Sequence, residues 1–61
     1  MTNKTKQLVG KAVWENATSA AKMYGGETCQ WMKRAIEETA GEWNLKYEAV
    51  AAAALEAPAE Y

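Results

Sequence analysis

One thiol, a pair of adjacent carboxylates and three tryptophans are the side chains in this sequence with chemistry to offer. Cys29 is the single cysteine, and the chain has no histidine. A thiol becomes nucleophilic as a thiolate, which needs a neighbouring base or a positive environment. Thr28 and Glu27, near the helix start, could make Cys29 more reactive only if it were exposed, and Cys29 falls on an apolar helical stripe where a small buried thiol is the expected state. Glu37 and Glu38 are adjacent, and helical neighbours project about 100° apart. They cannot converge on one bond unless another chain closes the site. Helical carboxylate metal sites pair a Glu with a His one turn on, and no His is present to serve.

The remaining chemical motifs are equally sparse. A lone Cys forms no intrachain disulfide and, without His, leaves structural zinc no ligand set. Gly25 and Gly26 follow a helical pattern rather than a strand, so they do not make a phosphate loop. Asn3-Lys4-Thr5 and Asn16-Ala17-Thr18 match the glycosylation acceptor pattern, which is common by chance and requires a secretory route. The expectation is a non-enzymatic chain with no catalytic residue, no metal and no cofactor. The tryptophans are the better functional candidates, because Trp is enriched at the centres of protein interfaces.

The elements that must position these residues are helices. From Thr28 to Ala57 one stripe runs through Cys29, Met32, Ile36, Ala40, Trp43, Tyr47, Val50 and Ala54 in steps of three and four. A second stripe, Trp31, Ala35, Leu45, Ala49 and Ala52, lies on the opposite face. Before it, Val9, Val13, Ala17, Ala20 and Tyr24 repeat at helical spacing, with Lys4, Lys11, Glu15, Thr18 and Lys22 on the far side. Asn16 intrudes on that apolar face. Buried, it needs a hydrogen-bond partner; tilted, it reaches solvent.

Thr2 or Asn3 can cap the first helix. Gly25 and Gly26 end it, since glycine readily adopts the left-handed conformation that closes a helix. The fold expected is therefore all-α: an antiparallel hairpin with a helix over about 4–24, a Gly-Gly turn and a long helix over about 27–57. The tail 58–61 frays behind Pro58. The alternative is a three-helix bundle with a break near Gly41. Phase continuity through Ile36, Ala40, Trp43 and Tyr47 favours the unbroken helix.

Length then points to self-association. Helix one spans about 31 Å and an unbroken helix two about 46 Å, so Val50, Ala54 and Leu55 overhang. A second chain covering them would complete a four-helix arrangement. Sixty-one residues make one small domain, close to the lower size limit for an unaided core. Core positions are assigned to Val9, Val13, Ala17, Ala20, Tyr24, Cys29, Met32, Ile36, Ala40, Trp43, Tyr47, Val50 and Ala54. Interface positions are assigned to Trp31, Ala35, Leu45, Ala49, Ala52 and Trp14.

Charge refines the choice of partner. Residues 1–26 carry Lys4, Lys6, Lys11 and Lys22 against Glu15, a net of +3. Residues 27–61 carry Lys33, Arg34 and Lys46 against seven Glu, a net of −4. The opposed halves suit antiparallel docking, although exposed pairs contribute at most about 1 kcal/mol each. The longest small-apolar run, from Ala49 to Leu55, is far short of the roughly 20 residues that span a bilayer. Lys4 and Lys6 precede too short an apolar run for a signal peptide, so a cytoplasmic, soluble chain is expected. The functional expectation is a protein–protein interaction module that binds itself or another protein as inhibitor, adaptor or assembly subunit. A nucleic-acid-binding accessory using Lys4, Lys11 and Lys22 is the alternative, disfavoured by the acidic second half. A membrane partner is disfavoured as well.

Overall fold

The computed structural model describes residues 2–56, which form three α-helices packed together. Helix α1 spans Asn3–Tyr24, and α2 spans Met32–Trp43 behind a single 3-10 turn, Thr28–Trp31. Helix α3 spans Tyr47–Glu56. The frayed tail expected over 58–61 lies outside the described residues, as does the expected helix end at Ala57.

Helix α1 starts where the sequence places it. The Thr2 hydroxyl accepts a hydrogen bond from the Thr5 N–H at 3.2 Å, satisfying one of the free donors of the first turn. The helix closes on Gly25 at φ 89°, whose N–H reaches the Ala21 carbonyl. Gly26 also has positive φ, at 93°. Two such residues in succession turn the chain sharply, because only glycine enters that region without Cβ strain.

The long second helix is not continuous. It breaks at Asn44, three residues after Gly41, and Gly41 itself lies inside α2. Asn44 takes the left-handed conformation, φ 55° and ψ 47°. The Leu45 N–H bonds the Ala40 carbonyl at 2.9 Å, and the Asn44 N–H points to Gly41 at 3.4 Å. These two bonds define a Schellman closure, which commonly brings an apolar contact across the break. Leu45 makes such a contact by packing against the core cluster that contains Ala40. The expected alternative, three helices with a break near Gly41, is therefore the architecture observed. Phase continuity misled because it assumed that Trp43 and Tyr47 belonged to the buried stripe. Both are 41% exposed.

The core is built from small side chains. Val9, Val13, Ala17, Val50, Ala53, Ala54, Ala35, Ile36 and Ala40 form it, with Trp31, Met32, Leu45 and Ala51 packed around. Full burial of a Val or Ile contributes about 1.5–3 kcal/mol, so the three fully buried valines anchor the fold. Small residues let the helices approach closely. On α1, Lys6 pairs with Glu56 and the Trp14 indole donates to the Ala54 carbonyl at 2.9 Å. Gly10 sits one turn from each and is buried, and α3 packs on α1. The fold-back of α3 covers Val50 and Ala54 from within the chain, which removes the overhang expected of a two-helix arrangement.

Four expected core residues are not in the core. Tyr24 is 62% exposed, and Cys29, Trp43 and Tyr47 are also exposed. Tyr24 and Cys29 lie beside the Gly-Gly turn, outside the buried cluster that the three helices enclose. Trp43 and Tyr47 flank the break. Ala20 and Met32 are half-buried. Conversely Thr39, passed over because it is polar, is fully buried.

Candidate functional site

Where α1 and α2 pack together they leave an open groove near the Gly-Gly turn. Its walls are Asn16, Ala20, Met23 and Tyr24 from α1, and Trp31, Arg34, Ala35 and Glu38 from the following segment, with Ser19 at the edge. About 520 Å³ of empty space lies between them, part of it open to solvent.

The groove is shaped from its turn end. The Trp31 indole N–H donates to the Gly25 carbonyl at 2.9 Å, which fixes the ring across the turn. Gln30 Oε1 accepts the Glu27 N–H at 2.9 Å, closing the first turn of the segment that carries Trp31. Tyr24 then lies against Trp31 with ring centroids 5.3 Å apart and planes tilted by 36°. Such offset aromatic pairs contribute about 0.5–1.5 kcal/mol beyond the area they bury.

Arg34 sits one turn after Trp31 and closes the aromatic end. Its guanidinium carbon is 5.8 Å from the Tyr24 centroid and 5.7 Å from that of Trp31. Both distances are within cation–π range. Its Nε donates to Glu38 Oε1 at 3.1 Å, an i,i+4 pair on α2. A planar cation held on two rings is partly pre-organised, so it loses little freedom on meeting a further acceptor. At the other end, Asn16 Nδ2 donates to Thr39 Oγ1 at 3.1 Å. The intruding Asn16 thus finds a buried partner on α2.

The expected interface residues do not make one surface. Trp31 lines the groove, half-buried. Ala35 is 3% exposed and belongs to the core. Leu45 packs on the core at the break between α2 and α3, Ala49 is half-buried, and Ala52 is exposed on α3. Trp14, also half-buried, is spent on α3 through its bond to Ala54. The break at Asn44 divides the face that an unbroken helix would have shared. Of the groove residues only Trp31 and Ala35 were expected at an interface; Met23, Tyr24 and Arg34 are among those that sequence reasoning missed. Their signal was available: an apolar pair directly before two glycines, and a cation one turn after a tryptophan.

Cys29 is exposed, with its Sγ 3.5 Å from a Glu27 carboxylate oxygen. That neighbour is an anion and no activating cation lies in this contact. Among the described residues no group of three or more potential ligands could hold a metal ion. No helix among them is long and apolar enough to cross a membrane.

Fold and groove together define a small three-helix protein with a cleft beside its first turn that is lined by two aromatic rings and an Arg34–Glu38 ion pair. No protein-family model matches the chain, and neither a curated protein nor a solved structure matches it.

Proposed function

We propose that this protein is a non-catalytic protein–protein interaction module, an antiparallel α1–α2 hairpin buttressed by α3, with the groove beside the turn as its binding face. One observation carries the reading. Met23 and Tyr24 are 73% and 62% exposed, and they adjoin a Trp31–Arg34 stack whose geometry the turn already fixes. Aromatic, Met and Arg side chains are enriched where proteins bind proteins. A rigid anchor loses little entropy on binding. The module acts by occupying or bridging a protein partner, as an inhibitor, adaptor or assembly subunit.

The basic side of α1 offers less to nucleic acid. Lys6 is tied to Glu56, and Lys11 lies 4.0 Å from Glu15. Only Lys4 and Lys22 of that half stand apart from an acidic neighbour in these pairs, a small footprint against the several phosphate contacts that specific binding uses.

A photo-crosslinking residue at position 23 tests the reading in the native cell. It is expected to trap a defined protein, either another chain or a second copy of this one. The same residue at the exposed Gln7, away from the groove, is the control. Identical product patterns from positions 23 and 7, or none from 23, would refute the groove as a binding face.

A further inference from the structure

Helices α1 and α2 each end on a left-handed residue of their own, and α3 has none to end on. Gly25 closes α1 and Asn44 closes α2. After Glu56 the sequence runs Ala57, Pro58, Ala59, Glu60 and Tyr61, with no Gly or Asn to close a helix in that way. Nor does α3 carry a basic residue in its last turn to face the free carbonyls there.

Pro58 concentrates this shortage on one atom. In an α-helix the Ala54 carbonyl accepts from the N–H four residues on, at position 58. Proline has no N–H in any conformation, and within a helix its ring clashes with the carbonyl four residues before it. Ala54 is 2% exposed, so water is a poor substitute. Its carbonyl has to find a donor elsewhere in the fold.

The donor comes from α1. The Trp14 indole N–H meets the Ala54 carbonyl at 2.9 Å, although the two residues are 40 positions apart in sequence. Lys6, also on α1, pairs with Glu56 at 2.6 Å. A carboxylate near a helix C-terminus faces the negative end of the dipole, and the Lys6 ammonium offsets it. Both contacts thus bring to the end of α3 what its own sequence lacks.

We infer that Trp14 is the C-terminal cap of α3, the donor that Pro58 cannot be. The cap lies in another helix, so the last turn of α3 is complete only while α3 is docked on α1. Ordering that turn and clasping it to α1 are one event. Neither Trp14 nor Ala54 lines the groove, so the clasp is independent of the proposed binding face.

Restoring an N–H at position 58 should make the Trp14 donor dispensable. Urea unfolding of the whole protein tests this by comparing Trp14→Phe in three backgrounds. These are the natural Pro58, Pro58→Ala, and a synthetic chain with N-methylalanine at 58, which lacks the N–H as proline does and has no ring. With Pro58, Trp14→Phe is expected to raise the unfolding constant about five-fold, the equivalent of one net hydrogen bond. The N-methylalanine chain should give the same factor. In the Pro58→Ala background the factor should fall below about two-fold. Loss of indole volume is common to all three and cancels in the comparison. If Phe at 14 prevents folding, benzothienylalanine there keeps the bicyclic shape and removes only the N–H. Equal factors with Pro58 and Pro58→Ala would overturn the inference, as would a factor below two-fold in the N-methylalanine chain.

Discussion

Asn16 on α1 donates its side-chain N–H to the hydroxyl of Thr39 on α2, 3.1 Å away, and Thr39 is fully buried. This bond joins two helices whose buried apolar residues are Val, Ala and Ile, side chains that pack in many registers. A polar pair is satisfied in only one of them, so it selects the register that also brings Tyr24 against Trp31. Asn16→Ala and Thr39→Val are each expected to lower stability by about 1 kcal/mol, the usual net worth of a hydrogen bond. The double variant should lose less than the two single losses combined, since both remove the same bond. Urea unfolding of the four proteins measures the coupling; strict additivity would mean that the bond contributes nothing.

Trp14 holds the end of α3 through the Ala54 carbonyl. Trp14→Phe keeps most of the ring and loses the donor, with an expected cost of about 0.5–1.5 kcal/mol. Hydrogen exchange should quicken in α3 before it does in α2, because the lost bond belongs to α3. Equal acceleration in both helices would show that α3 does not open separately.

Gly41 and Asn44 predict opposite responses to alanine. A Cβ built on Gly41 meets nothing within 4 Å, and the residue lies inside α2. Gly41→Ala should raise stability by about 0.5–1 kcal/mol through helix propensity alone. Asn44 stands in the left-handed region, so Asn44→Ala should cost about 1 kcal/mol. Thermal unfolding should move by several degrees in each direction, given about 4–8 °C per kcal/mol for a domain of this size. If Gly41→Ala instead destabilised the protein, the break would depend on Gly41 and not on the closure at Asn44.

Cys29 should be open to reagents in the folded protein. Its exposure predicts complete labelling by a disulfide reagent without denaturant. Labelling only after unfolding would return Cys29 to the core position that its place on the stripe suggests.

Composition and spacing alone determine the helical class. Period-3.6 apolar repeats, a Thr cap and paired glycines are local signals, and each acts through a few neighbouring residues. The core valines, Ala17, Ile36, Ala40 and Ala54 follow from the same periodicity. The order of the helices along the chain is equally local, because Gly25 and Gly26 force a turn wherever the rest of the chain lies.

Tertiary structure decided where the second helix ends and which apolar residues are covered. Asn44 can cap, continue or close a helix. It closes α2 because Leu45 gains a place on the core by ending the helix there. That choice packs α3 on α1, buries Ala53, and leaves Trp43 and Tyr47 outside a stripe that looked continuous. It also divides the residues of the expected second stripe between α2 and α3. The groove exists because α2 departs from α1 at an angle set by side chains far apart in sequence, Asn16 with Thr39 and Tyr24 with Trp31. Spacing along one helix carries no information about such pairs, since their energy arises only once the helices have met.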